Sequence, residues 1–221
     1  MATQRREPYI WPTWLTKILA GEQSCEWATW FKAHYQDYEK APRDGNLTAW
    51  VARHTDLLQK RAAEFRNDGY EVFVEEQNKF TLKGRSCTIG GKPDIVAVKS
   101  EIDINGREGE DIVVVDAKSG KPRDSDHFQV LIYMMILPLT HPRCLGKAVR
   151  GELQYPGERI DIDVLPNRQR EMILATIERI ASETPAVLAP SFRECRFCDL
   201  TKTDCKSRVE HDTPTTKTAI F

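Results

Sequence analysis

Ile112-Val113-Val114-Val115-Asp116-Ala117-Lys118 is the stretch on which the reading of this chain turns. Four consecutive β-branched residues are apolar on both faces, as expected of a central strand covered by helices on either side. A polar terminus, Asp116-Ala117-Lys118, follows at once. Side chains alternate along a strand, so Asp116 and Lys118 project from one face and Ala117 from the other. Some twenty residues earlier, Pro93-Asp94-Ile95-Val96-Ala97-Val98 places another carboxylate at the head of a β run. If the two strands are neighbours, Asp94 and Asp116 converge. Paired hard carboxylates suit Mg²⁺ or Mn²⁺. A lysine beside them can help deprotonate a water or balance charge developing on a phosphate. D-x-K alone also fits a surface ion pair at a strand end.

Working outward, strands are predicted at 71–74, 80–82, 95–98 and 112–116, with a turn at Asn105-Gly106 between the last two. A helix over 47–67 ends at Asp68-Gly69. A mostly apolar helix over 125–137 is stopped by Pro138, and carries Asp126, Gln129 and Tyr133 as a polar stripe. Strands over 147–153 and 159–164 flank Tyr155-Pro156-Gly157, and a helix over 167–183 leads to a cysteine-rich tail. In the first forty residues Trp11, Trp14, Trp27, Trp30, Phe31, Tyr35 and Tyr38 recur at helical steps, a stripe read as core. The sum is an α/β fold, a mixed central β-sheet flanked by helices.

Composition narrows the class without naming a function. The chain has 221 residues, 40% hydrophobic and 29% charged, enough for a core and too apolar for disorder. Its 32 Lys and Arg balance 33 Asp and Glu, so nucleic-acid binding must come from local patches such as Ser119-Gly120-Lys121-Pro122-Arg123. The apolar run 130–137 falls far below the roughly 20 residues of a membrane span. No apolar region follows Arg5-Arg6, so a cytoplasmic protein with reduced thiols is expected. Six cysteines there raise metal or cluster binding over disulfides. Cys195-Arg196-Phe197-Cys198 followed by Cys205 points to such a site. Its fourth ligand is open among Cys25, Cys87, Cys144 and His211, and Zn²⁺ and an iron–sulfur cluster both suit the spacing. Arg193, Arg196, Lys202, Lys206 and Arg208 form either a solvated rim or a contact to nucleic acid.

With these motifs assembled, the chain resembles the PD-(D/E)XK nuclease superfamily and its RecB-like branch. Pro93-Asp94 matches the first acidic motif, Asp116-Ala117-Lys118 the second, and Gln129 with Tyr133 the Q-x-x-x-Y helix motif. The resemblance implies a restriction-endonuclease-like core and a metal site of His54, Asp94, Asp116 and the Ala117 carbonyl. It makes Lys118 catalytic and gives Gln129 and Tyr133 to positioning. Trp50 stands where many relatives carry glycine, and Asp116 where many carry glutamate. Glu76, in Glu75-Glu76, is read as a solvated strand end. Ser24-Cys25 followed by Trp30-Phe31 resembles the N-terminal cysteine motif of iron–sulfur relatives. That implies Cys25, Cys195, Cys198 and Cys205 around a four-iron (4Fe-4S) cluster joining the two ends across about 170 residues. Cys87 and Cys144 are then ordinary thiols.

The order and spacing of these motifs also resemble those of CRISPR-associated RecB-like exonucleases (Cas-four), which act in antiviral defense. This resemblance implies a DNA exonuclease, with endonuclease action as a further possibility, that processes DNA ends or spacer precursors with an integrase complex as partner. The divisions expected are a helical region over 1–46, a nuclease core over 47–190 and a cysteine segment with a polar tail over 191–221. Alternatives are a non-cutting DNA-end binding subunit, a phage or repair nuclease, or a redox sensor gating DNA binding.

Overall fold

The computed structural model describes residues 2–42, 47–102, 106 and 108–212. Asn105 of the predicted turn and the tail from 213 lie outside them. The chain opens with β1 (Thr3–Gln4), β2 (Tyr9–Ile10), α1 (Pro12–Leu19), α2 (Trp27–His34) and β3 (Tyr35–Gln36). Next come α3 (Leu47–Asn67), β4 (Glu71–Val74), a 3₁₀ turn (Glu75–Asn78), β5 (Phe80–Lys83) and β6 (Thr88–Gly91). The long hairpin β7 (Ile95–Ile102) and β8 (Glu108–Ala117) precedes α4 (Asp124–Thr140), β9 (Arg150–Tyr155) and β10 (Glu158–Ile162). The helices α5 (Asn167–Ala181) and α6 (Phe192–Cys195) close the described chain.

The main sheet has the order β10-β9-β8-β7-β4. It is mixed, as predicted: β8 and β9 run parallel, and the other neighbours antiparallel. Its centre is the apolar run of β8, where Ile112 through Val115 are at most 2% exposed. Val113 and Val115, with Ile95 and Ala97 of β7, pack under Leu58, Ala62 and Phe65 of α3. Ile112 and Val114, with Val96 and Val98, join the larger core beneath α4. Each such side chain contributes roughly 1.5–3 kcal/mol by leaving water. The period-two alternation thus divides β8 between two helices and fixes its register. Gly151 of β9 lets α4 sit close on the sheet. A Cβ there would lie 2.3 Å from Val130 Cγ1 and 2.9 Å from Met134 Sδ.

Several elements depart from the sequence reading. Pro138 lies inside α4, which runs on to Thr140. So close to the end, proline removes a single backbone bond, and the His141 N–H still reaches the Leu137 carbonyl at 3.0 Å. The strand expected from 147 begins only at Arg150, because turns through Cys144 and Lys147 occupy the residues before it. The glycine pair Gly90-Gly91 ends strand β6, in a second sheet of order β2-β6-β5. The Phe80 ring covers Gly91 so closely that a Cβ would meet its Cζ at 2.4 Å. The aromatic N-terminal stripe forms two short helices, and Trp30 and Phe31 are buried as predicted. Among the described residues no helix is long and apolar enough to cross a membrane.

Candidate active site

The hairpin register determines where the acids meet. Ile95 pairs with Val115, which sets Asp94, one residue before β7, across from Asp116 near the end of β8. Asp94 Oδ2 accepts the Ala117 N–H at 2.7 Å and lies 3.2 Å from His54 Nε2. The predicted ligands His54, Asp94 and Asp116 therefore come from three elements to one corner, with Ala117 between the two carboxylates. Asn78, wholly buried, donates to the carbonyls of Phe73 (2.9 Å) and Pro93 (3.2 Å) and so steadies the turn into Asp94.

On the other side of Asp116, α4 supplies the residues expected of it. Gln129 Nε2 donates to Asp116 Oδ1 at 2.7 Å and to the Tyr133 hydroxyl at 3.2 Å. Its Oε1 accepts from Lys118 Nζ at 2.9 Å. One amide thus joins acid, lysine and phenol. Lys118 Nζ also lies 2.6 Å from Asp116 Oδ2. Oδ2 is buried and has no other partner among the described residues. Asp126, the third residue of the predicted stripe, instead accepts from Tyr155 at 2.9 Å.

Burial pushes the Asp116 carboxyl up to about 6, against the pull of Lys118 and with help from the nearby Asp94 charge. Burial disfavours the Lys118 cation, but Asp116 outweighs it and holds the ammonium above its ordinary value. The hydrogen bond to Asp94 raises His54 against the effect of burial, and the charges of Asp94, Asp116 and Glu75 add to it. Burial and the Asp116 charge push the Tyr133 phenol up, so it is a neutral donor rather than a base.

Glu76 is exposed and pairs with Lys92 at 3.1 Å, as a solvated strand end does. Glu75 is the acid whose charge reaches His54. It adopts φ of 44°, and its N–H donates to the Asp94 carbonyl at 2.9 Å. Nothing in Glu75-Glu76 distinguishes the two in sequence, since a left-handed backbone is set by the turn.

The sequence profile of the PD-(D/E)XK nuclease superfamily matches residues 16–203. The chain belongs to that superfamily. Members are nucleases that act on DNA and typically use Mg²⁺ or Mn²⁺. Comparison with curated proteins finds no match. Among solved structures, the crystal structure of SSO0001 is similar at 15% identity, covering 89% of this chain and 85% of that one, with a TM-score of 0.42. That likeness is too distant to add to the family match.

In this PD-(D/E)XK nuclease the donors suit a hard divalent cation: the carboxylates of Asp94 and Asp116, the latter with a buried oxygen faced only by the Lys118 ammonium, and the His54 imidazole. As placed, they are engaged with one another. Among the described residues no three His, Cys, Asp or Glu side chains are grouped so as to hold one ion. His54 leans on Asp94 and Lys118 on Asp116, so the site's own cations balance its acids. Lys121 and Arg123 in the adjoining loop are exposed, and make no ion pair among the described residues.

The nuclease's other cysteine-bearing region lies between its ends. Cys25, Cys195 and Cys205 are buried and Cys198 half-buried, all as free thiols, and all four line one cavity of about 1070 Å³. Burial pushes the Cys198 and Cys205 thiols up. Glu194 accepts the N–H groups of Ser24 (3.1 Å) and Cys25 (3.0 Å). The Val187 carbonyl accepts those of Glu26 (3.0 Å) and Trp27 (2.9 Å). Cys87 and Cys144 lie outside this cavity, and burial raises both thiols, Cys144 to about 11. His211 is exposed and does not line it. Of the basic residues singled out, Arg193, Arg196 and Arg208 do, while Lys202 pairs with Glu210 at 3.2 Å.

Proposed function

We propose that this nuclease is a divalent-metal-dependent deoxyribonuclease of the RecB-like type, working from DNA ends as an exonuclease. The observation that carries the reading is the convergence of Asp94, Asp116 and Lys118 at one corner, with Gln129 bridging acid and base. Asp94, Asp116, His54 and the Ala117 carbonyl are the groups that would hold the cation. Mg²⁺ or Mn²⁺ bound there supplies a more acidic water and a positive counter-charge for the phosphate. Lys118, held as an ammonium by Asp116, would orient the attacking water and offset charge developing on the phosphate. Gln129 keeps the Lys118 ammonium aimed at the site. Tyr133, held neutral by burial, accepts from Gln129 and would not serve as a base. The new bond forms between the water oxygen and phosphorus in line with the breaking P–O bond, and the departing oxygen takes a proton. Lys121 and Arg123 grip phosphates without reading bases.

The Cas-four type, and with it spacer processing beside an integrase complex, rests on the order of the motifs and on the four cysteines. Four thiols lining one cavity would suit a 4Fe-4S cluster, which takes one thiolate per iron, and a single Zn²⁺ is the alternative. Two measurements test the reading. Asp116→Ala and Lys118→Ala are expected to stop Mn²⁺-dependent loss of end-labelled DNA while the protein stays folded, and closed circles are expected to survive wild type. Undiminished cleavage by both variants overturns the nuclease site, and cutting of closed circles overturns the exonuclease reading. Anaerobic protein with zinc and no iron overturns the cluster.

A further inference from the structure

The first turns of α3 read Ala49-Trp50-Val51-Ala52-Arg53-His54, and their exposure is unusual for their chemistry. Trp50 is 48% exposed and Val51 46%. Tryptophan is the costliest side chain to leave in water, and a helix can normally turn it inward. Here one face of the indole is used. It stacks on the His54 imidazole, one turn along the helix, with ring centroids 5.4 Å apart and planes 19° from parallel. Among the described residues no other ring packs on Trp50, and about half of the side chain's surface stays in contact with solvent. His54 in turn lies 3.2 Å from Asp94. A half-exposed aromatic ring thus stands one side chain away from the carboxylate corner, on the first described turns of the helix that carries His54. If covering the imidazole were the only requirement, a smaller apolar side chain would serve. A flat two-sided ring adds a second stacking surface.

We propose that Trp50 is a nucleobase-stacking residue. The face of its indole away from His54 takes an unpaired base at a single-stranded or frayed DNA end, and so seats the neighbouring phosphate over Asp94 and Asp116. This rests on the nuclease reading above and narrows its substrate. A base inside a duplex has both faces covered by its neighbours, whereas an unpaired one can lie on the ring whatever its identity. The ring therefore selects free strand ends and does so without reading sequence.

The test separates binding from cutting. Wild type, Trp50→Ala and Trp50→Phe are compared for equilibrium binding of a labelled oligothymidine in EDTA, then for KM and kcat with Mn²⁺. Trp50→Ala is expected to weaken binding roughly 5- to 150-fold, the span of base–aromatic stacking, and to raise KM. Trp50→Phe is expected to restore most of the loss. An abasic site is then scanned along the oligonucleotide. At one position it is expected to weaken wild type strongly and Trp50→Ala not at all. Binding by Trp50→Ala within about twofold of wild type, or an abasic penalty that persists in that variant, overturns the proposal. So does a fall in kcat alone, which would reduce Trp50 to a support for His54. Wild type that cuts DNA while any of these occurs leaves the nuclease reading standing. Wild type that neither binds nor cuts overturns both.

Discussion

Replacing Asp116 by asparagine is expected to abolish Mn²⁺-dependent cleavage and, in chelator at neutral pH, to make the protein more stable. The carboxylate is 2% exposed. Its folded environment raises it from an ordinary 3.8 to about 6 even with Lys118 beside it. That difference corresponds to roughly 3 kcal/mol against the folded state when the group is ionised. The sign follows from the direction of the shift. Below about 3.8 the carboxyl is protonated both folded and unfolded, and the penalty is absent. It grows as pH rises from there and is complete above about 6. Lys118 loses its partner in the variant, so about 3 kcal/mol is a ceiling. For a chain of this size that ceiling is about 6–12 °C in Tm. Thermal or urea unfolding in EDTA, followed across this pH range, reads the difference directly. Adding Mn²⁺ should then stabilise wild type by about 2.7 kcal/mol at a hundredfold excess over Kd, and leave the variant where it was. A variant less stable than wild type at neutral pH in EDTA, or an equal response of both to Mn²⁺, would refute the reasoning.

The remaining predictions concern the parts that hold this corner. Glu152, wholly buried, accepts from Arg61 at 2.7 and 2.5 Å and fastens α3 to β9; Glu152→Gln is expected to lose about 3 kcal/mol in urea unfolding, and Arg61→Met with Glu152→Leu to recover most of it. Gly151→Ala, whose Cβ would meet Val130 and Met134, is expected to cost about 1–3 kcal/mol and to lower kcat by displacing Gln129 on α4. The His54 interaction with Asp94 raises the imidazole above 6.5. Its contribution to metal-free stability is therefore full below pH 6.5 and lost as pH rises through the raised value, which a pH series of wild type against His54→Gln in EDTA will show.

What could be read from the sequence was what depends on short periods. Ile112 through Val115 announced a doubly covered strand because no polar residue interrupts either face. Asp94, Asp116 and Lys118 fell together because strand alternation fixes which neighbours share a face. The four-residue step from Gln129 to Tyr133 likewise survives as one helical turn. Contacts between distant segments left no such trace. Gly90-Gly91 carries no strand signal until Phe80 and the β2 strand are laid against it. Glu152 looks like an ordinary strand acid until Arg61, ninety-one residues earlier, is placed over it. Asn78 and Glu75 act through backbone groups around Asp94, and nothing in their types signals that. Pro138 misled because the penalty of proline in a helix depends on how many bonds follow it.

The clasp between the two ends of the chain is built of oxygen and nitrogen, not sulfur. Glu194 holds Ser24 and Cys25, Val187 holds Glu26 and Trp27, and Arg179 grips both oxygens of Glu26 at 2.6 and 2.8 Å. None of these bonds asks anything of the four thiols. The cleft lined by Cys25, Cys195, Cys198 and Cys205 is thus bounded by bonds that hold with the thiols free.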